Sequence, residues 1–179
     1  MMITGKFPNL RLRRSRKNDW SRRLVEENNL TSNDLILPIF LIDGRNKKIP
    51  IKTMPGVYRY TLDKLLAVVD KAIKIGLPMV ALFPYTDKTK KNILGTESLN
   101  EDNLVCKAIQ LIKKRYKNEI GIMCDVALDP YTSHGHDGLI SSGYVLNDET
   151  IKILINQSLL QAQMGCDVLA PSDMMDGRI

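Results

Sequence analysis

Four side chains able to bind a metal or move a proton lie close together in the sequence: Asp129, His134, His136 and Asp137, with Gly135 and Gly138 beside the histidines. Two imidazoles and two carboxylates could ligate a metal through N and O donors. A His-x-His flanked by glycines serves equally as turn chemistry or as a phosphate contact, and spacing alone leaves these alternatives open. Just upstream, Asp125 interrupts the apolar run Glu119–Ala127 (EIGIMCDVA). A carboxylate in a buried strand is costly without partners. Asp125 is therefore either held by backbone donors or acts as a site acid, base or orienting group. No G-x-G-x-x-G or Walker-type loop supports nucleotide binding. Cys106, Cys124 and Cys166 form no C-x-x-C pair, and each falls inside an apolar helix or strand pattern. They read as reduced, buried thiols rather than a disulfide framework.

These residues need elements to position them. Leu35–Ile42 (LILPIFLI) is a continuous apolar run suited to a strand buried on both faces, although Pro38 predicts a late start or a bulge. Gly44–Gly56 reads as a polar connection. Thr61 can cap a helix with Leu62, Leu65, Leu66, Val69, Ala72 and Ile73 on one face, ended by Gly76. Met79–Phe83 is a second strand, stopped by Pro84. A second helix is predicted from Asn100, with Glu101 and Asp102 in its first turn, Lys113, Lys114 and Arg115 in its last, and Leu104, Ala108, Leu111 and Ile112 buried. Glu119–Ala127 is the third strand. Asp129–Leu146 is a long loop and so a functional candidate. Asn147 or Asp148 caps a third amphipathic helix, with Ile151, Leu154, Ile155, Leu159 and Ala162 on one face and Gly165 at its end, and Asp167–Pro171 is a fourth strand.

Alternating strands and helices predict an α/β fold with a parallel sheet. The pattern does not separate an open sheet from half of a (β/α)8 barrel, which typically takes about 250 residues. In either case sites lie at the carboxyl ends of strands. Those ends carry Tyr85 and Asp87, then Asp125 with its loop, then Ser172 and Asp173.

The formal net charge of +6 concentrates near the N-terminus, where Arg11, Arg13, Arg14, Arg16, Lys17, Arg22 and Arg23 surround Trp20. Such a cluster could be a nucleic-acid arm, a transit peptide or a structural arm laying Arg stems over a neighbouring subunit. No nucleic-acid-binding motif accompanies it, and Asp19, Glu26 and Glu27 do not suit a transit peptide, so the structural arm leads. No apolar run approaches a bilayer span, and Lys6, Arg11 and Arg13 interrupt the apolar residues near Met1. A cytoplasmic protein with neither membrane nor nucleic-acid partner is the default expectation.

The stretch D-V-A-L-D-P-Y-T-S-H-G-H-D-G (Asp125–Gly138) strongly resembles the central signature of the porphobilinogen synthase (5-aminolevulinate dehydratase) family. A-P-S-D-M-M-D-G-R-I (Ala170–Ile179) is similar to a second signature of that family. The basic arm, N-L-T-S-N-D-L-I-L-P-I-F (Asn29–Phe40) and M-P-G-V (Met54–Val57) resemble its N-terminal region, so the likeness runs in order along nearly the whole chain. The resemblance implies a (β/α)8 TIM barrel with a basic N-terminal arm. This chain would supply the arm (1–34) and a first half-barrel of about four strands (35–179).

The family condenses two molecules of 5-aminolevulinate into porphobilinogen with loss of water, on the path to haem and other tetrapyrroles. It commonly works as a homo-octamer of arm-exchanging dimers. Zinc-using members place cysteines at the positions of Ala127, Asp129 and Asp137. The residues here therefore imply the class without catalytic zinc, in which Mg2+ is the metal requirement, and the ion near Asp129 and Asp137 stays open. The family forms Schiff bases on two lysines of later strands, and Lys64, Lys71, Lys74, Lys107, Lys113, Lys114 and Lys152 match neither position. Asp125 and Ser172 correspond to site residues that place charge and hydrogen bonds around substrate and lysines, with Asp176 nearby. The leading expectation is the N-terminal half of a zinc-independent porphobilinogen synthase. The alternatives are a catalytically inactive truncated half-barrel and, more weakly, a basic nucleic-acid-binding module.

Overall fold

The computed structural model describes residues 5–11, 13–172 and 175, and its contacts divide the chain into one unit up to Thr31 and another from Ser32. In the first unit a 3-10 turn (Arg14–Arg16) precedes a short helix, α1 (Asp19–Leu24). The Ser21 hydroxyl donates to the Asn18 carbonyl at 2.9 Å and fixes the start of α1. Asp19 pairs with Arg22 at 3.4 Å and with Arg23 at 3.0 Å. Such exposed pairs contribute little stability. Arg11, Arg13, Arg14, Arg16 and Lys17 are all exposed, as are Phe7, Trp20 and Leu24.

The second unit is a mostly parallel sheet overlaid by helices. Its strands are β1 (Ile36–Ile42), β2 (Lys48–Pro50), β3 (Tyr58–Tyr60), β4 (Met79–Tyr85) and β5 (Gly121–Val126), then a small hairpin β6 (Ile140–Ser141) and β7 (Tyr144–Val145), then β8 (Val168–Pro171). Helices α2 (Leu62–Lys74), α3 (Leu104–Tyr116) and α4 (Asn147–Gln163) are the crossovers. The sheet order is β2-β3-β1-β4-β5-β8. The four long-range strands β1, β4, β5 and β8 are parallel neighbours in chain order. A doubly wound sheet reverses its strand order and has helices on both faces. Here α2 and α3 pack on a single face made by Ile39, Leu41, Val80, Leu82, Ile122 and Cys124. That is the arc of a barrel, which periodicity alone does not distinguish.

Both prolines expected to disturb strands are accommodated, each for a definable reason. The Gly121 N–H donates to the Pro78 carbonyl at 2.9 Å. In a parallel ladder successive residues turn their N–H and C=O groups to alternate sides. With the observed registers, the even-numbered residues of β4 face β5 and the even-numbered residues of β1 face β3. Pro38 thus points its missing N–H toward β3, which pairs only with Phe40 and Leu41. The β1–β4 register continues unbroken from Ile36 to Ile42, with neither a late start nor a bulge. Pro84 likewise sits inside β4, because its missing N–H faces β5 rather than β1. Pairing of β4 with β5 accordingly ends at Leu82 and Cys124.

Several local expectations are corrected. The connection Gly44–Gly56 contains β2, which pairs antiparallel with β3. Three-residue strands are too short to show a period. Thr61 is the residue before α2, but its hydroxyl bonds the backbone of Lys47 and so ties the β2 segment to the helix start instead of capping the helix. Helix α3 begins at Leu104 rather than Asn100, capped by the Asn103 side chain, which accepts from the Cys106 N–H at 2.9 Å. Glu101 and Asp102 therefore precede the first turn.

The largest difference lies in α4. Its buried residues are Thr150, Gln157, Leu160 and Gln161, whereas Ile155 and Leu159 are exposed. The predicted stripe of Ile151, Leu154, Ile155 and Leu159 instead borders a groove of about 210 Å3 with Val126 and Pro171, beside the terminal strand β8.

The core is tightened by polar ties between elements. The Tyr116 hydroxyl lies 2.7 Å from an Asp70 carboxylate oxygen and links α3 to α2. The Asp167 carboxylate accepts from the Ile122 N–H at 2.8 Å and from Lys113 at 2.7 Å, holding the approach to β8 against β5 and α3. Burial raises the Cys106 thiol to about 11, and Cys124 is also buried; Cys166 is half-buried, and all three are free. Ile109 is fully buried at the centre of this core. Ile109→Ala is expected to lower the unfolding free energy by about 2–5 kcal/mol, as measured by chemical denaturation.

Candidate functional site

The carboxyl end of β5 sets the geometry. Ile122, Cys124 and Val126 are buried, while Asp125 is half-buried and lies with Met123 on the face away from the helices. On that face Phe40 and Phe83, paired in register, stack with ring centroids 5.5 Å apart. On β8 the register partner of Asp125 is Ala170. Burial, and then the nearby Asp129 and Asp137 carboxylates, push the Asp125 carboxyl up to about 6. A carboxyl in this range can exchange a proton near neutral pH.

The loop after β5 is more ordered than an open connection. Leu128, Tyr131 and Thr132 are buried and act as its anchors. The Tyr131 and Thr132 N–H groups both donate to the Leu128 carbonyl, at 2.8 and 2.9 Å. Ser133 N–H donates to the Asn92 carbonyl at 3.0 Å, which joins this loop to the β4–α3 connection. The β6–β7 hairpin then leads into α4, and the Leu139 N–H donates to the Thr150 hydroxyl at 3.0 Å.

The histidines take the turn role. The His136 N–H donates to His134 Nδ1, and the Gly138 N–H donates to His136 Nδ1, each at 3.1 Å. Each ring thus closes a local turn by accepting at Nδ1, and the ring centroids stand 6.4 Å apart. Among the described residues no three His, Cys, Asp or Glu side chains are placed to hold one metal ion.

Asp129 and Asp137 do come together. Partial desolvation, followed by the Asp137 carboxylate and its hydrogen bond, raises Asp129 to about 6, against the opposing field of Lys91. Asp129 is exposed as a whole residue, so solvent screens this pair and its effect on stability is small. The Lys91 ammonium donates to the Asp129 carbonyl at 3.4 Å. Lys91 also lines a depression of about 420 Å3 with Tyr85, Lys88, Thr132 and His134.

The other strand-end candidates separate. Asp87 is a turn residue: it accepts from the Thr89 N–H and hydroxyl at 2.9 and 2.7 Å, which hold its carboxyl below the usual range. Tyr85 lies under the Arg59 guanidinium, 4.3 Å from the ring centroid. Ser172 is exposed, and its N–H donates to the Val126 carbonyl at 3.3 Å. Asp173 and Asp176 lie outside the described residues.

Sequence reasoning missed Lys91, and it missed Gln157 and Gln161 of α4. Both glutamines are buried and donate to carbonyls of the β5 end, Gln161 to Asp125 at 2.9 Å and Gln157 to Ala127 at 3.2 Å. The only available signal was the polar pair at helical spacing i, i+4, which reads as a solvated face.

A family model described as delta-aminolevulinic acid dehydratase matches residues 9–179. The delta-aminolevulinic acid dehydratase of Bradyrhizobium diazoefficiens is 55% identical over 95% of this chain and 48% of the relative. That of Chlamydia pneumoniae is 45% identical over 94% of this chain and 51% of the relative. The crystal structure of the Toxoplasma gondii ME49 enzyme with its product porphobilinogen superposes with a TM-score of 0.87 at 41% identity, covering 94% of this chain and 48% of that one. The chain thus spans about half the length of the relatives it matches.

The raised Asp125 carboxyl has a definite pH signature. An unfolded Asp ionises at about 3.9, whereas burial and the neighbouring carboxylates raise the folded Asp125 to about 6. Between those values the folded state binds more protons, so the Asp125 contribution to stability falls as pH rises through this window. The stability difference between wild type and Asp125→Asn, followed by urea denaturation from pH 4 to 7, is expected to move against the wild type with rising pH and then level off.

Proposed function

The chain belongs to the delta-aminolevulinic acid dehydratase family, and from that membership we propose that it forms the N-terminal half of a (β/α)8 barrel making porphobilinogen. The reaction joins two molecules of 5-aminolevulinate with loss of water. The observation that carries this reading is Asp125: a carboxyl with a value of about 6, at the carboxyl end of a parallel strand on the face away from the helices.

Carbon–nitrogen bond formation with a ketone needs an unprotonated lysine amine, which a site obtains through desolvation or a neighbouring cation. The lysines that perform it in the family lie on later strands than those spanned here. Asp125 would place negative charge, or a carboxyl proton, beside such an amine and the substrate ammonium. Ser172, at the end of β8, would offer a hydroxyl to the same substrate. The basic arm, with exposed Phe7, Trp20 and Leu24 among its arginines, suits docking on a second subunit of a homo-oligomer.

The residues at the family's zinc positions do not fit zinc. Ala127 contributes a methyl group and is itself buried, and Asp129 and Asp137 contribute oxygens where zinc favours thiolates. Two carboxylates suit a hard, hydrated cation such as Mg2+, which keeps most of its water ligands. Asp129 and Asp137 would hold it, and the ion would supply positive charge.

Two experiments test these readings. Joined to the second half of the Bradyrhizobium relative, the chain is expected to convert 5-aminolevulinate to porphobilinogen, and Asp125→Asn is expected to lower kcat by about 10²-fold or more. Residues 1–179 alone are expected to give no borohydride-trapped adduct. An inactive hybrid, or a trapped lysine within 1–179, would overturn the assignment. For the metal, titration with zinc is expected to show tight binding only after the combined replacement Ala127→Cys, Asp129→Cys and Asp137→Cys, read as stoichiometric zinc retained through gel filtration.

A further inference from the structure

Buried glutamines in a helix that packs on a sheet need a reason, since an apolar residue fills the same space without desolvating an amide. Gln157 and Gln161 are 1% and 3% exposed. Each has a buried Oε1 with no hydrogen-bond partner among the described residues, while each Nε2 donates to a backbone carbonyl of the segment that carries Asp125. The acceptor fixes the amide orientation, because a carbonyl can face only the nitrogen end.

The strand explains why those carbonyls need side-chain donors. Gly121 donates to the carbonyl of Pro78, the residue before β4. The carbonyls of Ile122 and Val126 accept from Asp167 and Ser172, on the β8 side. By alternation the carbonyls of Asp125 and Ala127 both turn toward β4. Continuing the β4–β5 register beyond Leu82 and Cys124 brings the Asp125 carbonyl opposite the nitrogen of Pro84, which has no hydrogen. The ladder stops there and leaves two carbonyls on the same side of the strand. They are separated by two residues, about 6.6 Å. Gln161 and Gln157 are one turn apart on α4, about 6 Å, and α4 runs antiparallel to β5, so the order of the donors matches the order of the acceptors.

We propose that Gln161 and Gln157 are positioning residues of the site, replacing the β4 donor lost at Pro84 and fixing the backbone from which Asp125 projects and the Asp129 loop departs. The functional part of this rests on Asp125 belonging to the site; the hydrogen-bond clamp itself does not.

The test uses the full chain labelled with 13C and 15N. A coupling across the hydrogen bond from Gln161 Nε2 to the Asp125 carbonyl carbon is expected in the wild type, and its absence would overturn the clamp without any variant. Gln161→Met and Gln157→Met keep the length of the side chain and remove the donor. They are expected to shift the carbonyl resonances of Asp125 and Ala127 respectively and to speed amide exchange from Asp125 to Asp129 by about tenfold. Leu160→Ala, a core change between them on the same helix, is expected to leave both resonances unmoved. Carbonyl shifts no larger in the Met variants than in Leu160→Ala would refute the proposal. In the active hybrid barrel, Gln161→Met is expected to lower kcat about tenfold with KM within about twofold, and Leu160→Ala to change neither. An inactive hybrid would sink the enzymatic reading and leave the resonance measurements to decide the clamp; an active hybrid with unchanged kcat would sink the positioning role.

Discussion

A backbone carbonyl taken out of water must find a donor, and the end of β5 is where that requirement becomes most demanding. The strand is flanked by β4 and β8, but Pro84 removes the β4 donor for Asp125, one residue before the strand ends at Val126. The chain meets the requirement on its two sides in different ways. On the β8 side Ser172 continues the backbone bonding as far as Val126. On the β4 side two amides descend from α4. This accounts for a helix whose polar residues face the sheet while Ile155 and Leu159 remain outside. It also lets the strand end early enough for a carboxylate and a loop to stand where a longer ladder would have continued.

The same end collects negative charge. Asp125, Asp129 and Asp137 influence one another, and the cations that act on the group include Lys91 from the preceding β4–α3 connection. The loop itself is tied down by Leu128, Tyr131 and Thr132 and by the bond from Ser133 to Asn92. The histidines contribute to this order through Nδ1, as local turn acceptors. A site built on a strand end and braced by neighbouring connections keeps its charged groups together despite their repulsion. This is the arrangement by which barrels separate the chemistry of their loops from the stability of their cores.

Much of this architecture was legible in the residues. The apolar runs located β1, β4, β5 and β8, and helical spacing located α2, α3 and α4, because burial on a sheet imposes its period directly on sequence. The signature from Asp125 to Gly138 carries the likeness to the family in residue types alone. Less legible were β2 and β3, too short for periodicity, and the start of α3, where Asn103 rather than Asn100 supplies the cap. The buried face of α4 does not coincide with its apolar stripe, because burial there is set by hydrogen bonding rather than by hydrophobicity. Gln157 and Gln161 are buried by the needs of a distant backbone, and no window of helical sequence contains that information.

The sequence by itself determined the alternation of strands and helices, the membership of the family, and the replacement of thiolates by Ala127, Asp129 and Asp137. These depend on residue type and on local spacing, which the chain carries without folding. The tertiary structure alone decided that the strands lie in chain order as an arc with α2 and α3 on one face. It also decided that Pro38 and Pro84 turn their nitrogens to sides where a missing donor is tolerated or replaced, and that Asp125, Asp129 and Asp137 meet. Those outcomes depend on register and on which side of a strand each group faces. Both are set only when segments distant in sequence pair.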